Sequence, residues 1–157
     1  MLSARSAILL PVGNLYDYFA ADDDAAAAAT LEHSPDPKCF DVLDVRGIEP
    51  VVQLATLEVR LRGIDYAQVA ADPRQCALLS DPSREYRWVV TITDTLRDAL
   101  ANAHTEQLTQ AAVAWSTTEE FRGHGDSDLL CGILNRFATL ARTALSRGQH
   151  LYCWMSL

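Results

Sequence analysis

The residues with the most chemical potential sit in one connecting segment, Trp115-Ser116-Thr117-Thr118-Glu119-Glu120-Phe121-Arg122-Gly123-His124-Gly125-Asp126. Two predicted helices flank it. Read as the rim of a pocket, Trp115 and Phe121 stack a ligand, while Glu119, Glu120 and His124 supply acid and base groups. Read as structure, Ser116 to Glu119, or Thr117 to Glu120, has capping-box spacing for a short helical turn. Trp115 and Phe121 are then apolar anchors over the core. Binding residues favour loops, but most such loops only connect. Glu120, His124 and Asp126 are ligand types that suit a divalent ion. Nothing in their spacing fixes a geometry, so no metal site and no cofactor is assigned.

Other clusters have a plainer reading beside the chemical one. Asp22, Asp23 and Asp24 are three adjacent carboxylates, yet a helix start points them in different directions. They read as a cap that meets free N–H groups and the positive end of the dipole. A calcium loop needs alternating ligands and a glycine, which are absent. Asp41 and Asp44 pair near Arg46 and read as a solvated face or a salt bridge. His33, His104 and His150 read as surface or sheet-edge residues. The cysteines, Cys39, Cys76, Cys131 and Cys153, form no C-x-x-C pair. Their spacing is too wide for a zinc site, and Cys131 and Cys153 fall on apolar faces as small hydrophobes. The chain contains no P-loop, dinucleotide fingerprint, H-E-x-x-H or G-x-S-x-G.

The elements that must position these residues follow from periodicity. Ser6 to Val12 reads as a first strand, followed by a turn at Gly13 and Asn14. Leu15, Tyr16 and Phe19 recur at helical spacing and predict a short helix. The aspartate triplet opens a second helix through Ala25 to Glu32. Phe40 to Val45 alternates as a short strand or an extended loop. Pro50 and Gly63 bracket a buried helix. Tyr66 to Leu79 reads as one or two short helices interrupted by Pro73. Tyr86 to Thr93 is the clearest strand, rich in aromatic and β-branched residues. Thr93 or Asp94 caps the next helix, and Thr105 caps another. Leu130, Ile133, Leu134, Phe137, Leu140, Ala141, Ala144 and Leu145 form one apolar stripe within a helix from Asp126 to Arg147, closed by Gly148. His150 to Leu157 reads as a strand with Leu151, Cys153 and Met155 on one face and Tyr152 and Trp154 on the other. Apolar residues on both faces place it inside its sheet.

The resulting expectation is one globular α+β domain over residues 1–157. A small mixed sheet of about three to four strands is covered by several helices, and a long C-terminal helix leads into a terminal strand. Apolar residues are 49% of the chain and charged residues 22%, which places it among ordinary globular proteins rather than disordered ones. The apolar run at Ala7 to Val12 is too short to span a membrane, and no cleavage site follows it, so a cytoplasmic protein is expected. Twelve of the 13 basic residues are arginine, a usage that a high-GC genome imposes.

The net charge of −8 is uneven: residues 1–50 hold nine acids and three bases, and the remainder twelve and ten. Such a balance argues against nucleic acid, whose capture needs clustered cations. It suits a basic protein partner, steered by the acidic end. Solubility alone is the plainer account of the same charge.

The order of elements resembles the YfbM-like family of small bacterial proteins of unknown function. The similar residues are Tyr18-Phe19, Ala25 to Glu32, Leu61-Arg62-Gly63, Val90 to Thr93 leading into Leu96 to Leu100, and Leu140 to Ala144 before the glycine turn. Where the family has a Lys-x-x-Trp-like segment, this chain reads Gly47-Ile48-Glu49-Pro50. The Trp115 to Phe121 segment looks like that of an actinobacterial branch. The resemblance implies an α+β fold and brings no activity. Three functions are therefore open: a non-enzymatic binding or interaction domain, immunity-like or regulatory; a ligand-binding domain or enzyme with a pocket at Trp115 to His124; or a purely oligomeric structural protein. Oligomeric state is left open.

Overall fold

Three aromatic residues, Tyr16, Tyr18 and Phe19, followed by Ala20 and Ala21, build β1, Leu15–Ala21. The expected short helix at Leu15 to Phe19 is thus a strand. Tyr16, Tyr18 and Ala20 take one face, and Asp17, Phe19 and Ala21 the other. Each β1 residue pairs with the last strand of the chain. Aromatic residues fit a pleated, buried surface, and this long pairing outweighs a local helical spacing. The computed structural model describes residues 14–157, so the expected strand at Ser6 to Val12 lies outside the described residues.

The aspartate triplet caps as its chemistry predicts. Asp23 accepts a hydrogen bond from the Ala26 amide at 2.8 Å and opens α1, Asp24–Ala28. The helix stops short of the expected Glu32. Thr30 turns its hydroxyl back onto the Ala27 carbonyl at 2.8 Å, a local bond that competes with helix continuation. β2 is Val42–Asp44, and α2 is Gln53–Arg62. Glu49 accepts bonds from the amides of Val51, Val52 and Gln53 at 2.6–2.8 Å, which sets the start of α2. Gly63 ends it in the left-handed conformation, φ 66°. α3 is Tyr66–Ala70 and β3 is Arg87–Thr91.

α4, Asp94–Asn102, begins at Thr93, whose hydroxyl accepts from the Leu96 amide. α5, Thr105–Ser116, is capped one residue earlier than Thr105 predicts. There the Gln107 side chain reaches back to the His104 amide at 2.8 Å. α6, Ser127–Ser146, starts at Asp126, which accepts from the amides of Asp128 and Leu129. Its end is a Schellman turn, with Gln149 donating to Ala144 and Gly148 to Leu145. β4, His150–Ser156, follows at once.

The strands form one sheet in the order β2-β1-β4-β3. Every pairing is antiparallel, where a mixed sheet was expected. β4 is central, and its two faces divide as the alternation predicts. Leu151, Cys153 and Met155 join the core beneath α2, α4, α5 and α6, with Leu57, Leu100, Trp115 and Phe137. Tyr152 and Trp154 join a smaller cluster on the other face with Phe19, Val89 and Ala27. The fold is therefore α+β, with a thick helical layer on one face and a thin cover on the other. The four cysteines are free, and burial pushes the Cys153 thiol up, with further rise from nearby Cys76. Among the described residues no helix is long and apolar enough to cross a membrane.

Candidate functional site

The segment from Trp115 to Asp126 folds as a closure between α5 and α6. Trp115 is fully buried, and its indole N–H donates to the Gln53 carbonyl at 3.0 Å, tying α5 to the start of α2. The ring meets Phe121 edge-on, with centroids 5.2 Å apart. Glu119–Phe121 form a single 3-10 turn, begun by Thr118, which bonds back to the Trp115 carbonyl with both its amide and its hydroxyl. Arg122 and Gly123 follow with positive φ. A Cβ on Gly125 would sit 2.9 Å from the Ser116 carbonyl oxygen and 3.1 Å from the Phe121 Cβ, so only glycine fits that crossing.

The expected site residues are therefore neighbours with divided roles. Trp115 packs edge-on against half-buried Phe121 and is itself fully buried, which leaves the tryptophan no face for a ligand. Glu119 and His124 are exposed, and Glu120 is half-buried. One Glu120 oxygen, Oε1, is buried and has no hydrogen-bond partner among the described residues. No group of three or more His, Cys, Asp or Glu is arranged to hold a metal among the described residues.

A polar network that the sequence reading missed joins elements far apart in the chain. Asp24 accepts from the Tyr152 hydroxyl at 2.8 Å and from Arg74 Nη1 at 3.1 Å. Partial burial works to raise the Asp24 carboxyl, but the bonds from Tyr152 and Arg74 outweigh it and hold it below its ordinary value. Burial, then the hydrogen bond to Asp24, pushes the Tyr152 phenol up. The Arg74 guanidinium lies 5.5 Å over the Tyr152 ring. Asp94 meets His150 Nδ1 at 2.7 Å and Arg97 at 3.5 Å, with Arg74 at 3.8 Å. A carboxylate on Nδ1 is the arrangement that orients a histidine base. Among the described residues, however, no hydroxyl or thiol hydrogen-bonds to His150. Asp22 in turn accepts from the Gln149 side chain at 3.0 Å. All three aspartates of the triplet are thus engaged within the fold. No sequence motif reveals the network, since Asp24, Arg74, Asp94 and His150 meet only when the sheet closes.

A different acidic pair has no such partners. Asp17 and Asp44 lie directly opposite each other across β1 and β2, and Trp154 continues the same row. Burial, then the Asp44 carboxylate, raises the Asp17 carboxyl above its ordinary value. Among the described residues neither aspartate side chain has a Lys, Arg or His within ion-pair distance. Between β2 and α6, on the side of the sheet away from this pair, lies a groove of about 330 Å³ whose lining includes Asp41, Leu43, Arg136, Thr139, Leu140 and Thr143. Arg136 reaches only the Asp44 carbonyl, at 3.5 Å, and Asp41 is paired with Arg147 at 3.0 Å. In sequence Asp44 is paired with Asp41. The strand pairing places it against Asp17 instead. No protein-family model matches the chain, and no curated protein or solved structure matches it either.

Proposed function

We propose that this chain is a non-enzymatic binding domain that captures a basic segment of another protein through Asp17 and Asp44. The observation behind this reading is the like-charge pair itself. Carboxylates directly opposite across two strands repel each other and weaken the sheet. A lysine or arginine from a partner relieves that repulsion, so binding gains where the free fold loses. The overall charge of −8 steers a basic partner toward the surface. Asp22, Asp23 and Asp24 are not the contact in this reading, because they are engaged in a helix cap and in the bonds to Arg74, Tyr152 and Gln149. The resemblance to YfbM-like proteins adds no activity to it.

The test is titration of the full chain with a blocked peptide of alternating lysine and valine at low ionic strength. Asp17→Asn with Asp44→Asn is compared with Glu106→Gln plus Asp128→Asn, which removes the same charge from exposed helix starts. The first pair is expected to weaken binding about tenfold, or about 1.4 kcal/mol, and the second about twofold. Equal losses would show attraction to net charge alone and sink the proposal.

A further inference from the structure

The structure points to strand addition at β2 as the way the basic segment is held, an inference that rests on the function proposed above. We infer that an extended segment of a partner pairs with the outer edge of β2 and sets a lysine or arginine opposite Asp44.

The hydrogen-bond phase of the sheet carries the argument. Ala20 donates to the Asp41 carbonyl and Val45 donates to the Tyr16 carbonyl, each at 3.3 Å. Antiparallel bonds alternate along a strand, so Asp41, Leu43 and Val45 turn their backbone groups toward β1. Val42 and Asp44 then turn theirs outward. Of these outward groups, only the Asp44 carbonyl has a partner among the described residues, the long contact from Arg136. The opposite edge of the sheet is already covered. Leu79 donates to Val89 at 2.8 Å, Thr91 donates to Ala77 at 2.9 Å, and Leu78 bridges Val90. Among the described residues β2 is therefore the open edge.

Charge decides which strand can add there. A residue opposite Asp44 lies on the same face as Asp44 and Asp17, where a cation is attracted to both carboxylates. A second copy of this chain would instead bring another Asp17–Asp44 pair against the first. Acidic side chains on an edge are a known guard against self-pairing, and here the same guard selects for a basic strand. Residues of the added strand that point the other way face the groove along α6, toward Thr139 and Thr143. The occupant is thus an extended segment with basic residues on one face and small or apolar residues on the other. β-strand addition takes affinity from the main chain and specificity from alternate side chains. A three-residue edge offers little main chain, so the charge contact must supply the selectivity.

Amide hydrogen exchange on the full chain, read by NMR, tests this. In the free protein the Val42 and Asp44 amides are expected to exchange rapidly. Saturation with the lysine–valine peptide should slow both by at least about tenfold. The same peptide methylated on each lysine backbone nitrogen keeps its charge but cannot donate to the edge, and it should fail to bind. If the methylated peptide binds as well as its parent, strand addition is wrong while the basic-partner function stands. If neither peptide binds, both fall together. Protection of Val42 and Asp44 already present in the free chain would overturn the inference by showing the edge occupied. Protection that appears only as protein concentration rises would overturn it in favour of a second copy.

Discussion

At the scale of single residues, Asp17 ties function to stability. Burial and Asp44 raise its carboxyl above the ordinary value. The folded state then holds this proton more tightly than the unfolded state does. Stability falls as pH rises through the window between the unfolded and folded values, and at neutral pH the charged Asp17 is a net cost. Asp17→Asn is therefore expected to stabilise the fold at neutral pH and to leave it unchanged in acid, where both states are protonated. Urea midpoints at the two pH values check this, and an equal gain at both would assign the effect to packing instead. The same substitution should weaken capture of the basic peptide. A residue that destabilises the free fold while serving a contact is the usual trade at binding sites. Asp17 drew no attention in the sequence because its environment is made by β2, and that pairing has no local signature. Trp115 and Phe121 were legible as apolar anchors because they lie close together at the end of α5 and in the turn after it. Their orientation toward each other rather than toward a ligand depends on Gln53, which is distant in sequence.

At the scale of elements, Glu58 shows how helices are fastened to strands. It is 1% exposed, and its carboxylate accepts from Thr93 at 2.5 Å, Thr95 at 2.6 Å and Arg62 at 2.6 Å. Thr93 also caps α4, so one carboxylate joins α2 to the end of β3 and the start of α4. Glu58→Ala leaves the buried Thr93 hydroxyl without its acceptor, together with half-buried Thr95 and the more exposed Arg62. It should cost about 2 kcal/mol in urea unfolding, within the range for leaving a buried donor unsatisfied. A loss below about 1 kcal/mol would mean that water replaces the carboxylate. Helix ends were the most legible elements. Asp23, Thr93, Asp126, Gly63 and Gly148 all sit at the boundaries their side chains or backbone freedom favour. Capping acts over three or four residues, so sequence contains it. β1 was read as a helix because its pattern makes sense only beside β4. Sheet direction was likewise illegible, since antiparallel pairing of β1 with β4 joins residues at opposite ends of the described chain.

At the scale of the whole molecule, stability hangs on the central strand more than on the acidic edge. β4 pairs with β1 along all seven residues and with β3 along five. Its two faces also belong to both clusters of buried residues. Deleting residues 150–157 removes the partner of both neighbours and the shared strip of core, while α4 and α5 each keep their contacts with α6. The shortened chain is expected to keep helical far-ultraviolet circular dichroism but to lose its near-ultraviolet signal and its cooperative urea transition, as compact states without fixed packing do. β2 makes the opposite case, because its outer edge has backbone groups to spare and its three residues pair with β1 alone. Replacing Asp44 by Asn should leave the cooperative transition intact. If the deletion chain still unfolds in one sharp transition, the helical layer is a self-sufficient core and the sheet is only its cover. If it does not, the open edge can engage a partner strand without endangering the pairing that holds the fold, which is what an adaptable docking edge requires.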